Sequence, residues 1–281
     1  MMEYIYYLME TALPFEFMKY DFMKNALLAI VLITPLFAMV GTMVVNSKLA
    51  FFSDALGHSA LTGIALGTIF GLKNPLAAMI GFAVIFALFL SYIKEKDKSS
   101  EDTLISVFSS ASIALGLVIL SGSGSFSKYS SYLVGDILSV SASDILFLAI
   151  AFVCVLAVWH FIYNKLLIVS INPSMAKSKN INVRLTENIF LVLVAVIVTV
   201  SIKWVGILVI NSLLIIPCAA AKNVAKSMRS YQNISIAIGL FSGVSGLILS
   251  YYLNTAAGPT VVLISAVVFF ASVLYKSIKR I

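Results

Sequence analysis

The chain has 281 residues, 61% of them hydrophobic and 11% charged, and a net charge of +7. Ordinary soluble domains carry about a quarter charged residues, so this composition excludes a soluble globular protein. The apolar residues come in long runs without the alternation of barrel strands, which leaves an all-α, polytopic membrane protein. One membrane domain fits the length, with no sizeable soluble domain beside it. The positive charge does not point to nucleic acid, because the basic residues sit at the ends of apolar segments, where topology accounts for them.

Residues 1–23 combine Tyr and Phe with four acids (Glu3, Glu10, Glu16, Asp21) and Pro14. There is no basic region followed by a cleavage site, so no removable signal peptide is expected. The segment reads as a short interfacial helix or an ordered tail, and 24–281 as a single transmembrane domain. A spanning helix needs about 20 mostly apolar residues. Candidates fall at 25–45, 52–72, 75–93, 103–120, 144–163, 187–202, 206–221, 234–253 and 259–275. That is nine, or eight if one is re-entrant.

The basic residues test this count. Fourteen of the 19 fall in alternate connections: Lys48; Lys94, Lys96 and Lys98; Lys165, Lys177, Lys179 and Arg184; Lys222, Lys226 and Arg229; Lys276, Lys279 and Arg280. The other side holds Lys19, Lys24, Lys73, Lys128 and Lys203. Positive charge stays cytoplasmic, so the C-terminus is expected inside and, with nine spans, the acidic N-terminus outside. A tenth span at 1–18 would move only the N-terminus.

The second span opens FSDALGHSALTGIALG and carries Asp54 and His58, one of two histidines in the chain. Four residues apart on a helix, the two side chains share a face. A carboxylate and an imidazole side by side suit a divalent metal such as zinc. Ionisable groups inside a bilayer are costly and usually face a bundle interior or a water-filled path. Two readings stand: a metal-handling site on a transport route, or a buried Asp–His hydrogen bond holding helices together.

Two polar connections break the apolar pattern. Residues 121–143, SGSGSFSKYSSYLVGDILSVSAS, belong outside, with a YLVGDIL core that dips back toward the membrane; Asp136 there reads as an exposed or capping acid, with a second metal contact as the other reading. On the basic side, 172–184 is NPSMAKSKNINVR, where Asn-Pro starts a turn and Pro173 suits the first position of a short helix. Such a helix is a docking element or, on composition alone, a solvated basic loop. Gly239, Gly243 and Gly246 with nearby serines read as close helix packing. Pro217, with Asn211 and Ser212, can kink its helix and line a pathway; tight packing is the preferred reading. His160, after Trp159, suits the membrane boundary, and Cys154 and Cys218 read as small core residues rather than a disulfide or metal pattern.

The order of these motifs resembles the permease subunit of bacterial zinc- and manganese-importing ABC transporters. FFSDALGHSALTGIALG is similar to that family's Asp-x-x-x-His helix, and SSYLVGDILSVSASD to its Y-L-[FV]-G-[DS]-[IL]-L segment. NPSMAKSKNINV resembles the segment that docks the ATPase, and WVGILVINSLLIIPCAAAK and LSYYLNTAAGPTVVL its last two signatures. The resemblance implies a permease fold similar to the vitamin B12 importer's, paired as a homodimer in the bacterial cytoplasmic membrane. It implies transported Zn²⁺ or Mn²⁺ as cargo, with no permanent cofactor. Two cytoplasmic ATPase subunits and an extracytoplasmic metal-binding protein are the implied partners. It carries the metal-contacting roles onto Asp54 and His58, and ATPase docking onto Asn172, Pro173, Ser174, Met175, Ala176, Lys177, Ser178 and Lys179. Asn254, followed by Thr255 and Ala256, departs from the family, where an acid is common. There is no GxxxxGK[ST] phosphate loop, so ATP hydrolysis is expected in another polypeptide. Zinc leads manganese as cargo on affinity order and because GDIL resembles the zinc-type members. A permease for a chelated metal or another nutrient is the alternative; an intramembrane metalloenzyme would need a second motif such as HExxH, which is absent.

Overall fold

The structure, a computed structural model, describes residues 2–12, 16–72, 74–96 and 101–279. Pro14, Lys73, Lys98 and Arg280 lie outside the described residues, as do the side chains of Glu3, Lys94 and Lys96. The described residues are helical with no strand: α1 (Met2–Ala12), α2 (Asp21–Asn46), α3 (Ala50–Ile69), α4 (Pro75–Lys96), α5 (Glu101–Gly122), α6 (Phe126–Tyr129), α7 (Ser131–Val134), α8 (Ala142–Ile171), α9 (Pro173–Ser178), α10 (Val183–Val205), α11 (Ile207–Val224), α12 (Met228–Leu253) and α13 (Ala257–Lys279). Short 3₁₀ turns at Glu16–Lys19 and Ile137–Ser139 interrupt the connections. Each of the nine expected spans coincides with a long helix. Eight of these are apolar enough to cross a bilayer, with mean hydropathy from 1.8 to 2.8. The exception is α3, which carries Asp54 and His58.

The chain forms two compact units: Met1–Thr42, Val134–Cys154 and Lys203–Ile281 in one, Met43–Leu133 and Val155–Ile202 in the other. In the second unit α3 packs against both α4 and α5. Glycines make this approach possible. A Cβ on Gly63 would lie 2.8 Å from the Met79 Cα, and one on Gly116 would lie 2.9 Å from the Thr62 nitrogen. The Thr62 hydroxyl donates to the Ser112 carbonyl across the α3–α5 contact. Further bonds tie helix ends together: Asn46 Nδ2 donates to Ser170 Oγ at 3.0 Å, and Ser91 Oγ to Asn188 Oδ1 at 2.7 Å.

In the first unit α11, α12 and α13 pack on one another. Gly243 meets Ile30 and Thr34, and Gly246 meets the backbone of Val261, so these glycines serve helix contact. The helix α11 runs unbroken through Pro217. Cys218 is buried and its thiol donates to the Ala38 carbonyl at 3.4 Å. Cys154, expected in the core, is exposed instead; an apolar run in a membrane helix does not distinguish a lipid-facing stripe from a protein-facing one. Asn254 ends α12 in the left-handed conformation, φ 51° and ψ 44°, which asparagine adopts more readily than most residues.

The N-terminal segment is ordered against this unit. Phe17, Met18, Met23 and Leu27 are buried with Leu247 and Ala257, and Ile137 and Leu138 pack on the same cluster. The YLVGDIL segment therefore returns to the protein, and its 3₁₀ turn lies on α13. Its Gly135 (φ +73°) crosses Gly206 (φ +88°) backbone to backbone; a Cβ on either would sit within 2.3 Å of the other strand of chain. Beside this crossing in sequence, Lys203 Nζ lies 3.0 Å from Asp144 Oδ1. Lys203 belongs to the outer side in the charge count and Asp144 follows the outer 121–143 connection, so the ion pair joins two helix ends assigned to one side.

Candidate functional site

Helix α3 buries thirteen of its twenty residues. Small residues surround the polar pair in sequence: Ser53 and Ala55 flank Asp54, and Gly57 and Ser59 flank His58, and all four are buried by close neighbours. Over residues 52–65 only Asp54 and His58 are not buried. Over this stretch the helix is closed except along the strip that holds its two ionisable groups.

His58 Nε2 lies 3.5 Å from Asp54 Oδ2. That is at the limit of hydrogen bonding and joins two residues of one helix, so it does not staple α3 to a neighbour. The Asp54 side chain is 45% exposed and that of His58 is 24% exposed. The other imidazole nitrogen, Nδ1, is buried and has no hydrogen-bond partner. The pair therefore keeps oxygen and nitrogen donors that its own chain leaves unsatisfied. At 1.5 Å rise per residue, Asp54 is about 6 Å and His58 about 12 Å from the start of the helix.

Among the described residues no three His, Cys, Asp or Glu side chains converge to hold a metal. Asp136 caps its own turn, with Oδ1 accepting from the Leu138 amide at 3.1 Å, which is the capping reading of that residue. His160 is exposed and meets the Phe161 ring edge-on at 5.8 Å. One chain thus offers two ligands, a carboxylate and an imidazole, and not a complete four-ligand cage.

The 172–184 segment is a built element. Asn172 Oδ1 accepts from the amides of Ser174 and Met175, and Pro173 stands in the first turn of α9. The turn closes on Asn180 (φ 57°), with Ile181 N donating to Ala176 O and Asn180 N to Lys177 O, a Schellman pattern. Asn182 then caps α10 through the Leu185 amide. Of the six α9 residues only Ala176 is buried, so Met175, Lys177 and Ser178 project outward from a short rigid turn.

Sequence reasoning missed two polar features. Lys24 is buried, with Nζ 3.0 Å from Asp21 and also paired to Glu10; the signal was a lysine three residues after Asp21, at the start of an apolar run. The Thr62–Ser112 bond, which locks the α3–α5 contact, left no signal beyond two hydroxyl residues in separate spans.

Eight helices that can cross a bilayer, together with a ninth that shelters a carboxylate–imidazole pair, define a multi-pass membrane transport subunit. Residues 19–276 match the model of the ABC 3 transport family, and the chain belongs to that family. It is a transport subunit of the cytoplasmic membrane, not an enzyme. It is 34% identical over 254 residues to the high-affinity zinc uptake system membrane protein ZnuB of Haemophilus influenzae, covering 90% of this chain and 97% of that protein. It is 29% identical to the manganese transport system membrane protein MntC of Listeria innocua, covering 92% of each. The solved structure of PsaBC from Streptococcus pneumoniae in complex with Fab matches with a TM-score of 0.80 and 29% identity, over 90% of this chain and 91% of that one. An inward-facing metal-chelate type ABC transporter matches with a TM-score of 0.70 at 14% identity, over 89% of this chain and 85% of that one, which speaks for the fold alone.

Proposed function

We propose that this chain is the permease subunit of an ABC importer for Zn²⁺ or Mn²⁺, with Asp54 and His58 contacting the ion as it passes. The observation that carries this reading is the open strip of α3. Over residues 52–65 it exposes only Asp54 and His58, and the buried Nδ1 of His58 lacks a partner. The start of α3 is cytoplasmic by the charge count, so the pair lies in the inner half of a span. Two ligands per chain suit a homodimer in which two-fold symmetry supplies Asp₂His₂, a set that zinc accepts. A passing ion must also leave, so incomplete ligation within one chain favours transport over storage. Residues 1–23 are the interfacial segment, with Tyr4 and Tyr7 exposed on α1, and 24–281 the permease domain.

Membership of an ABC family implies partner subunits that hydrolyse ATP and deliver substrate. In this reading two ATPase copies dock on residues 172–179, and a metal-binding protein delivers the ion outside. Relatives named for zinc and for manganese both support a divalent cation; the pair itself accepts either, and affinity order favours zinc.

The test is uptake by proteoliposomes holding the full transporter, each metal presented by its binding protein. Asp54→Ala and His58→Ala should each lower uptake by at least about tenfold while the folded assembly persists on size exclusion. Wild-type rates for zinc and manganese in both variants would refute the site. Met175→Asp, on the exposed face of α9, should leave the permease folded but abolish its stimulation of the ATPase. Unchanged co-purification and stimulation would remove the docking role.

A further inference from the structure

The second unit holds a cavity of about 370 Å³ that the Asp54–His58 pair does not line. It lies where six helix ends meet: those of α2, α4 and α8, and the starts of α3, α5 and α10. The charge count puts all six on the cytoplasmic side. Its floor is apolar and buried, formed by Phe52, Leu90, Ile105, Leu166 and Phe190. Its rim is exposed and includes Lys48 and Pro173.

The two parts of this cavity select a ligand. A metal ion would meet an ammonium, Lys48, and one carboxylate, Glu187, that is already engaged, over a floor without ligands, so the cavity is not built as a cation site. The apolar floor offers nothing to a free inorganic anion. A molecule that satisfies both has a hydrocarbon tail and an anionic head. Lys48 is free for that head: its ammonium has no ion pair among the described residues. The residue sits at φ 59° in the tight turn between α2 and α3, with the Leu49 amide bonded to the Val44 carbonyl. Glu187 also lies on the rim but is already engaged. The volume is at the small end for ligand pockets, suited to one chain rather than a whole lipid. Basic pockets between membrane helices on the cytoplasmic side are the physical setting in which acidic lipid headgroups bind.

The geometry points to a site for an acidic phospholipid of the inner leaflet, one acyl chain in the cavity and the phosphate on Lys48. Pro173 is the first residue of α9 and part of the wall, and Ser170 of the preceding turn lines it too. A tail in the cavity therefore props the α8–α9 corner. A ligand that binds one arrangement stabilises it by its differential affinity, so an occupied cavity holds α9 in the position seen here.

Native mass spectrometry of the purified full-length chain, released from nanodiscs of phosphatidylcholine doped with phosphatidylglycerol, tests this directly. Wild-type protein should retain about one phosphatidylglycerol per chain in preference to phosphatidylcholine. Lys48→Gln should weaken that retention about fivefold, the worth of one basic residue at a lipid surface, and Lys48→Arg should restore it. Ile105→Trp should exclude the lipid by filling the floor. Equal retention of the two lipids by wild type, or unchanged retention in Lys48→Gln, would overturn the site. Retention of free fatty acid without phosphatidylglycerol would overturn the phospholipid assignment. The readout does not depend on which ion is carried, so it stands or falls separately from the metal reading.

Discussion

Helices α3 and α8 meet the same bilayer and are built by opposite rules. Helix α8 runs 30 residues with a mean hydropathy of 2.8, and only 28% of its apolar window is buried by protein. Leu146, Ile150, Val153 and Phe161 all point outward from it. Helix α3 does not reach the hydropathy of a membrane span, yet thirteen of its twenty residues are buried. Three of its hydroxyl residues, Ser53, Ser59 and Thr62, are shielded, and each hydroxyl finds a backbone carbonyl. The difference teaches that a span need be apolar only where lipid touches it. Where other helices take the place of lipid, small and polar residues are affordable because their hydrogen bonds are met inside the protein. The ionisable pair sits on the one long helix, among the described residues, that falls short of the hydropathy of a span.

The largest expected effect comes from forcing a charge onto the wrong helix. Val153 is 64% exposed near the middle of α8. Val153→Asp should cost about 3 kcal/mol of insertion free energy, the worth of an aspartate at a helix centre. The amount of membrane-integrated, detergent-extractable protein should fall accordingly. Wild-type yield would mean that protein rather than lipid covers that face, and the contrast with α3 would fail.

The fold was largely legible because the bilayer imposes a crude and strong rule. Runs of apolar length gave the nine long helices, and alternating Lys and Arg assigned each connection to a side; within each unit, helix ends assigned to one side lie together. Asp144 meets Lys203 at an expected outer end, and six expected inner ends meet at one cavity. Asn172 and Pro173 announced a helix start because capping is local chemistry. The pair Asp54–His58 was visible because ionisable residues are rare in such runs. Hydropathy alone could not say which way each residue faces. Cys154 in one run and Cys218 in another look alike in sequence, and the structure exposes the first and buries the second. Lys24 read as one more outer charge, whereas its burial depends on Glu10, fourteen residues away. No third ligand stands beside the pair among the described residues, where no three His, Cys, Asp or Glu side chains converge.

A smaller effect tests whether α3 is held as closely as its burial implies. Gly116 on α5 and Gly81 on α4 are both helical glycines in the unit that contains α3. A methyl group at Gly116 would sit 2.9 Å from the Thr62 nitrogen and 3.1 Å from the Leu61 carbonyl carbon, atoms of the α3 backbone that cannot rotate away. At Gly81 nothing lies within 4 Å. The same substitution should therefore act with opposite sign. Gly116→Ala should destabilise by about 1–3 kcal/mol through overpacking, with loss of the Thr62–Ser112 bond as the helices part. Gly81→Ala should stabilise by up to about 1 kcal/mol through helix propensity. Thermal unfolding midpoints in detergent read both. A Gly116→Ala midpoint above wild type would mean that α5 can yield, leaving α3 free to shift against its neighbours, and the pair on its open strip would then lack the rigid support that closely set ligands need.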